Sequence, residues 1–281
     1  IKKLNGASDS EIMSNWAGLG YYSRARNIIK FANIICKKYS GVIPYTENEL
    51  LKLPGIGPYT AAAISAIAFG QSSTVVDGNI ERVISRLFYI SEPINTVKNL
   101  IKQKAQTLTP KNRPGDYAQA MMDVGSTICL PKAPKCTECP LETSCLARIC
   151  NKTDQVPNKL PKKKKPLRKG FVYLGKTKKH EILLLERPKK GLLGGMLCFP
   201  STEWTKNKFP LNIPPIGSNW VPVDGEIMHA FTHFNLCLKV VKGEITDIPP
   251  GFKKAKLSTF DPSSLPTVMR KALIHAYKNN I

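Results

Sequence analysis

Four cysteines, Cys129, Cys136, Cys139 and Cys145, lie within 17 residues, with six, two and five residues between them. A loop of this length lets four thiolates surround one metal centre, and both zinc and iron-sulfur clusters accept four cysteine ligands. Structural zinc sites usually present two Cys-x-x-Cys pairs, whereas this loop contains only one. The spacing therefore predicts a metal-binding loop and leaves the choice between zinc and an iron-sulfur cluster open.

The remaining features agree with a metal site in a reducing compartment. The first ten residues contain neither an apolar segment nor a cleavage-site pattern, so nothing in them directs secretion. We therefore expect a protein of the cytoplasm, or of the nucleus or mitochondria in a eukaryote, in which disulfides are rare. The other cysteines lack metal-ligand spacing, and we interpret them as packing residues: Cys36, Cys150, Cys198 and Cys237.

The charge of the chain indicates a polyanionic partner. Lys and Arg number 42 against 20 Asp and Glu, which gives a formal net charge of +22 spread along the sequence. The abundance of Lys, Ile and Asn is also typical of an AT-rich genome, and this explains part of the excess. Since no apolar run approaches the ~18 residues that span a bilayer, we expect nucleic acid rather than a membrane as the partner.

Composition and periodicity divide the sequence into two domains and a linker. Residues 1–150 show apolar spacing typical of helices, interrupted by short Pro and Gly breaks, and they end in the cysteine loop. Residues 151–169 carry eight Lys or Arg, one Asp and three Pro, which predicts an extended basic linker. Residues 170–281 contain short apolar strands and a final helix near 266–278, so this domain is α+β.

The segment LPGIGPYTA, residues 53–61, predicts a tight hairpin between two helices. Gly55 and Gly57 allow a ligand to approach the backbone, while Pro58 suits the first turn of the second helix. Unpaired amides at that helix start favour a phosphate group, so the hairpin can hold a DNA backbone without recognising sequence. A Gly-x-Gly alone is equally compatible with an ordinary helix connection.

The segment VVDGNI places Asp77 between a short apolar run and the helix NIERVISRLF. On these residues alone, the first interpretation of Asp77 is a helix N-cap, because its carboxylate accepts hydrogen bonds from free amides at a helix start.

Several motifs together resemble one family. LPGIGPYTA resembles the helix-hairpin-helix of the endonuclease III superfamily, and the cysteine spacing is similar to the 4Fe-4S loop of the same superfamily. VDGN, GLGYYSRARN, RPKKGLLGGMLCFP and HAFTHF are similar to segments of MutY-type adenine DNA glycosylases, so the resemblance covers nearly the whole chain. Leu193 departs from the family, which has an aromatic residue there.

The resemblance implies a mainly α helix-hairpin-helix glycosylase domain with an iron-sulfur loop, followed by an α+β Nudix-like domain. It implies a monomeric base-excision repair enzyme that hydrolyses the N-glycosidic bond of adenine mispaired with 8-oxoguanine or guanine in double-stranded DNA, after flipping the adenine out of the stack. The cofactor would be a 4Fe-4S cluster. The Nudix-like domain lacks the acidic helix motif of active Nudix hydrolases.

The resemblance also assigns roles to individual residues. Asp77 would stabilise the positive charge that develops at the sugar C1′, and Asn79 would orient it. Tyr59 replaces the lysine of bifunctional lyases, which implies a monofunctional glycosylase. DNA or substrate contacts are implied for Tyr21, Gly55, Gly57, Gln119, Phe231, Thr232 and His233, the last three as the loop that recognises 8-oxoguanine. Packing roles for Tyr21, Phe231 and His233, and an exposed helical position for Gln119, remain the alternatives.

The family general acid, a glutamate in a VMLQQTQV-like helix, has no counterpart in this sequence. Glu11 belongs to a different segment and does not replace it. We therefore expect a helical domain that is incomplete at its N-terminus, with around 60 residues missing. These 281 residues should then release adenine slowly, since loss of a general acid costs ~100- to 10,000-fold.

Two other classes of function stay open. A bifunctional glycosylase-lyase would form a Schiff base on abasic DNA, which the absence of a hairpin lysine argues against. A noncatalytic DNA-binding protein would bind tightly and salt-sensitively without releasing a base.

Overall fold

The structure, a computed structural model, describes residues 1–16, 19–161, 164–188, 191–217 and 219–277. Parts of three predicted features lie outside these residues: position 18 and positions 189–190 of two family-like motifs, and positions 162–163 of the predicted linker. The chain forms two compact units. The first combines Ile1–Gly6 with Asn27–Lys162, and the second combines Ala7–Arg26 with Lys163–Ile281.

The described α-helices, in chain order, are α1 (Lys2–Gly6), α2 (Asp9–Asn15), α3 (Tyr22–Lys38), α4 (Glu47–Leu50), α5 (Pro58–Ala63), α6 (Gly78–Leu87), α7 (Lys98–Leu108), α8 (Pro114–Asp123), α9 (Leu146–Ile149) and α10 (Thr267–Tyr277). The described strands are β1 (Leu167–Thr177), β2 (Glu181–Glu186), β3 (Leu197–Cys198), β4 (Thr205–Lys206), β5 (Asn219–Pro222), β6 (Ile227–Ala230), β7 (Asn235–Ile245) and β8 (Lys253–Lys256).

The first unit is helical, as predicted. Two of its helices continue into π-helical turns, α5 into Ile64–Ala68 and α8 into Val124–Ile128. The core lies around α6, whose apolar residues recur every three or four positions and pack with those of α5, α7 and α8. Its fully buried members include Ile84 and Ile101. The cysteine loop, with 3₁₀ turns at Cys136–Glu138 and Glu142–Ser144, follows the second π-helical turn.

The boundaries differ from the predicted 1–150, 151–169 and 170–281. The first part of the expected linker is packed on the first unit, because Val156 is buried and the Asn158 carbonyl accepts a hydrogen bond from the Ile94 amide at 2.9 Å. Its last part is already strand, since β1 starts at Leu167. Residues Ala7–Arg26 group with the second unit, where Arg26 Nη1 donates to the Gly194 carbonyl at 2.9 Å.

The second unit is built on a mixed eight-stranded sheet with the order β3-β2-β1-β7-β5. β1 and β7 are parallel over their full length, from Leu167 opposite Asn235 to Thr177 opposite Ile245. β2 and β4 pair antiparallel with β1, β5 and β6 pair antiparallel with β7, and β8 pairs antiparallel with β2. This arrangement confirms the α+β prediction for this part of the chain.

Both faces of the central strands are covered. Val172, Tyr173 and Leu174 of β1 are consecutive and all buried, a pattern typical of strands packed on both sides. α10 covers one face with a run of buried side chains that includes Met269 and Leu273. The predicted final helix is thereby confirmed over its described residues. Among the described residues, none of the helices combines the length and apolar character required to cross a bilayer.

Candidate active site

Asp77 is the N-cap residue of α6. Its backbone is extended, and its Oδ1 accepts hydrogen bonds from the amides of Asn79 at 3.0 Å and Ile80 at 2.7 Å. Its Oδ2 accepts a third hydrogen bond, from the side-chain amide of Asn79 at 3.2 Å. The helix start favours the negative charge, and hydrogen bonds to both oxygens fix the orientation of the carboxylate. The N-cap interpretation is therefore confirmed.

Arg82 connects this carboxylate to the cysteine loop. Its Nη2 donates to Oδ1 of Asn79 at 3.0 Å and also to the carbonyl of Gly125, while its Nε donates to the carbonyl of Cys129 at 2.7 Å. Burial lowers the pKa of Arg82, but a guanidinium stays protonated at neutral pH. A buried cation thus sets the orientation of the Asn79 amide, which in turn donates to Asp77.

Gly125 makes this arrangement sterically possible. It lies in the π-helical turn after α8, and a Cβ added there would be 2.6 Å from the Cβ of Asn79, closer than two carbons can approach. The turn therefore packs directly on the Asn79 backbone, and its carbonyl is within reach of Arg82.

Arg86, one helical turn after Arg82, holds the cysteine loop itself. It is only 2% exposed. Its Nη1 donates to Sγ of Cys129 at 3.2 Å and to the Leu130 carbonyl at 2.7 Å, and its Nε donates to the carbonyls of Thr153 at 3.0 Å and Val156 at 2.8 Å. Among the described residues no carboxylate forms an ion pair with it. A buried positive charge next to thiols is suited to a negatively charged group.

The predicted metal ligands Cys129, Cys136, Cys139 and Cys145 are half-buried and line a single cavity, together with Arg86 and Arg148. Burial raises the pKa of Cys136, Cys139 and Cys145, so their thiolate forms require a nearby cation. Of the described His, Cys, Asp and Glu side chains, no three converge on one metal-ion position. The four thiols that the sequence predicts as ligands line one cavity with two arginines.

The hairpin has the backbone that its sequence predicts. Gly55 has a φ of +82°, which disfavours other residues, and a Cβ there would be 2.7 Å from the Cβ of Asn27. Gly57 is the N-cap of α5, Pro58 is in the first turn, and no atom of the described part of the chain lies within 4 Å of the position of a Cβ at Gly57. The backbone at Gly57 is therefore open to an approaching group.

Tyr59 lies on α5, and Gln119 lies on α8. Tyr59 is 44% exposed, and its hydroxyl is 3.8 Å from Sδ of Met122 on α8. Gln119 is exposed, and its Nε2 donates to the carbonyl of Gly115 at 3.3 Å within the same helix. Among the described hydrogen bonds none joins Gln119 to Asp77. In this structure Gln119 is therefore an exposed helical residue.

The second unit contains a cavity of about 460 Å³, within the ~300–1,000 Å³ range of small-molecule sites. Tyr21 lines it together with Phe231 and Thr232, which lie in a distant part of the sequence. His233 is exposed and is not part of the lining. Three of the four residues proposed for lesion contact are thus brought to one cavity within this unit.

Two non-glycine residues of this cavity have left-handed backbones. Tyr21 has a φ of 47° and Leu193 a φ of 56°, conformations that cost about 1 kcal/mol or more each. The Tyr21 ring is 75% exposed, and the guanidinium of Arg24 lies 5.5 Å from its centroid. An exposed aromatic ring on a strained backbone is common at binding sites.

His229 also lines the cavity and lies edge-on to the ring of Phe231, with centroids 4.6 Å apart. Burial lowers the pKa of His229, and the charge of Lys271 lowers it further, so the imidazole is neutral at neutral pH. It acts as a neutral packing partner of Phe231.

Arg82 and Arg86 are the site residues that the sequence analysis missed. A signal was present, because two arginines four positions apart interrupt the apolar residues of NIERVISRLF. On an isolated helix the two arginines would lie on one face. Two positive charges on a buried face are stable only where acceptors from other parts of the chain bind them.

Two family models match the chain. Residues 1–111 match the model described as "HhH-GPD superfamily base excision DNA repair protein", and residues 171–275 match a NUDIX domain.

Individual relatives named adenine DNA glycosylase are similar over most of the chain. The human protein is 32% identical over 96% of this chain and 61% of its own length. The protein of Buchnera aphidicola from Baizongia pistaciae is 36% identical over 71% and 57%, and that from Acyrthosiphon pisum is 33% identical over 90% and 73%. The chain therefore spans about three fifths of the first two relatives.

Proposed function

Because the chain belongs to the adenine DNA glycosylase family of the helix-hairpin-helix superfamily, we propose that it hydrolyses the N-glycosidic bond of adenine in double-stranded DNA, in base-excision repair. The adenine removed would be the one paired with 8-oxoguanine or guanine. The observation that carries this proposal is the Asp77 carboxylate, which Asn79 and the start of α6 hold in one orientation.

Asp77 supplies the electrostatic part of the reaction. As the bond between C1′ and adenine breaks, positive charge develops on the sugar, and a fixed carboxylate stabilises that charge without having to reorient. The electron pair of the broken bond leaves with adenine, which takes up a proton, and water adds to C1′ and loses a proton, which completes the hydrolysis. Asn79 keeps one carboxylate oxygen in place through a 3.2 Å hydrogen bond. The flipped adenine must leave the base stack to reach this group.

The hairpin supplies the contact with the DNA backbone. Gly57 presents open backbone at the start of α5, where helix amides favour a phosphate. The net charge of +22 adds sequence-independent attraction to DNA. Tyr59 offers no amine to attack the sugar, which supports a monofunctional glycosylase rather than a lyase.

The cavity with Tyr21, Phe231 and Thr232 supports recognition of the base opposite the adenine. An aromatic ring on either side of a purine provides stacking, and a hydroxyl provides a hydrogen bond to a polar edge. We propose that Thr232 distinguishes 8-oxoguanine from guanine through such a hydrogen bond.

The cofactor proposed for Cys129, Cys136, Cys139 and Cys145 is a 4Fe-4S cluster. A single zinc ion at ~2.3 Å from each sulfur would draw the four sulfurs to about 3.8 Å from one another. The four cysteines line one cavity with buried Arg86, whose positive charge supports a negatively charged four-thiolate group there. When bound, the cluster would fix the loop, and buried Arg86 would balance part of its negative charge.

The test is adenine release under single-turnover conditions, with protein in excess over duplexes that pair adenine with 8-oxoguanine, guanine or thymine. We expect slow release above the uncatalysed rate, fastest opposite 8-oxoguanine and absent opposite thymine, with no Schiff base trapped by borohydride. Tight, salt-sensitive binding without any release would instead identify a noncatalytic DNA-binding protein. A trapped Schiff base would identify a lyase.

A further inference from the structure

Phe231 forms part of the wall of the second-unit cavity and is supported from behind by two other aromatic rings. Its ring stacks on Phe234 with centroids 4.8 Å apart and on Trp204 with centroids 5.8 Å apart. Trp204 and Phe234 also contact each other at 6.3 Å. We call Trp204, Phe231 and Phe234 the aromatic stack. It joins the cavity wall to β1 and β7 of the sheet.

A guanidinium lies at each end of the aromatic stack. The Arg168 Cζ is 4.5 Å from the centroid of Phe234, and the Arg187 Cζ is 5.6 Å from the centroid of Trp204. Among the described residues neither arginine forms an ion pair. The two cations are therefore held by ring faces, an interaction worth more when the groups are shielded from water.

The same residues leave three hydrogen-bond donors unused. Nε of Arg168, Nε of Arg187 and Nε1 of Trp204 are buried, and no polar atom of the described residues forms a hydrogen bond with them. Such donors cost about 1–3 kcal/mol each, and they are rare in folded proteins. All three of these donors belong to residues that pack on one set of rings.

Two hydrogen bonds hold the ends of the loop formed by residues 231–234. The Phe231 amide donates to the Phe234 carbonyl at 2.9 Å, and Lys165 Nζ donates to the Phe231 carbonyl at 2.7 Å. Thr232 and His233, between these anchors, are exposed. The position of the Thr232 hydroxyl is therefore set by the Phe231 backbone and by the aromatic stack behind it.

Gly170 of β1 leaves room for the indole ring of Trp204, because glycine has no side chain. A Cβ added at Gly170 of β1 would lie 2.7 Å from Cδ1 of Trp204. The indole packs directly over the strand backbone at this glycine, so its position is closely fixed.

From this geometry we propose that Arg168, Trp204 and Arg187 are positioning residues for recognition of the base opposite the adenine. They clamp the aromatic stack and so hold Phe231 and the Thr232 hydroxyl where the loop distinguishes 8-oxoguanine from guanine. This role rests on the proposed function of the loop. The proposal assigns an effect on selectivity to Arg168, Trp204 and Arg187, which do not themselves line the cavity.

The experiment measures the dissociation constants of the 281-residue chain for two duplexes, one pairing adenine with 8-oxoguanine and one pairing adenine with guanine. We expect Trp204→Leu and Arg187→Met to reduce the ratio of the two constants about fivefold, whereas Trp204→Phe, which keeps a ring, retains most of the ratio. Arg168→Met keeps all three rings and should act in the same direction.

The matched control is Trp220→Leu. Trp220 packs on Tyr173 in the same unit, with centroids 5.5 Å apart, and lies outside the aromatic stack. Its replacement should lower the free energy of unfolding but leave the binding ratio unchanged. A purely structural role for Trp204 would make Trp204→Leu behave like this control, with both affinities reduced equally, and that result would overturn the positioning role.

A double-mutant cycle with Thr232→Ala separates the two proposals. If the stack acts through the loop, Trp204→Leu should change the ratio in the native background and not in the Thr232→Ala background. If Thr232→Ala lowers the ratio and neither Trp204→Leu nor Arg187→Met does, the positioning role alone fails. If Thr232→Ala leaves the ratio unchanged, the loop does not recognise the lesion and both proposals fail.

Discussion

Arg82 donates a hydrogen bond of 3.0 Å from Nη2 to Oδ1 of Asn79. The same guanidinium donates to the Cys129 carbonyl, so one side chain contacts both the cysteine loop and the partner of Asp77. An asparagine amide can take two orientations, and only one directs its NH₂ group at the carboxylate. Arg82 selects that orientation because it can only donate.

Replacement of Arg82 by glutamine should slow adenine release by about 10- to 100-fold, because a small displacement of a catalytic group is enough for such a loss. The change leaves buried carbonyls without a donor and should lower the free energy of unfolding by about 1–3 kcal/mol. Single-turnover rates and chemical denaturation measure the two effects. Lys102→Gln removes the same charge from an exposed position of α7 and serves as the control. An unchanged rate of adenine release by Arg82→Gln would show that Arg82 does not position the catalytic carboxylate.

Replacement of Gly125 by alanine tests the same contact from the other side. The new Cβ would lie 2.6 Å from the Cβ of Asn79, so the π-helical turn or Asn79 must move. We expect a slower rate and a loss of about 1–3 kcal/mol of stability, typical of overpacking.

Gly78→Ala is the matched control for this change, because a Cβ at Gly78 would have no atom of the described residues within 4 Å. Its free energy of unfolding should stay within about 0.5 kcal/mol of that of the native chain, or rise, since alanine favours a helix. Equal destabilisation by the two substitutions would show that the close contact at Gly125 is not what matters.

The helices of the first unit were predictable because their apolar spacing is local. The second helix that the LPGIGPYTA segment predicts appears as α5 and its π-helical turn, and Pro58 begins it as expected. The grouping of Ala7–Arg26 with the second unit was not predictable, since it depends on contacts such as that of Arg26 with Gly194. Contacts between residues so far apart in sequence leave no periodic pattern.

The candidate site was also partly predictable, because some of its features follow local rules. The N-cap role of Asp77 follows from a local rule, and the structure confirms it. The linkage of Asn79 to Cys129 through Arg82 joins α6 to the cysteine loop, and only the folded chain shows it. The aromatic stack likewise combines residues of separate segments: Trp204 lies outside every quoted motif, and Arg187 begins RPKKGLLGGMLCFP, but that motif does not indicate its contact with Trp204.

The cysteine loop makes a prediction about composition. Cys139→Ser should reduce the iron and acid-labile sulfide of the purified protein to a small fraction, because it removes one of four ligands. Cys150→Ser is the control, since Cys150 is exposed and does not line the cavity. Elemental analysis and sulfide determination measure both. One zinc per native chain, with no iron or sulfide, would establish the zinc alternative instead.

The central claim concerns Asp77, and two substitutions separate its structural role from its catalytic one. Asparagine is as good an N-cap as aspartate, whereas alanine loses the cap and about 1 kcal/mol of stability. The decisive measurement is single-turnover adenine release opposite 8-oxoguanine by native, Asp77→Asn and Asp77→Ala chains. We predict that both variants lose about 100-fold or more in rate, while Asp77→Asn keeps the backbone cap and loses only the hydrogen bond from the Asn79 side chain, so it is destabilised less than Asp77→Ala. Release by Asp77→Asn at the native rate would contradict the account.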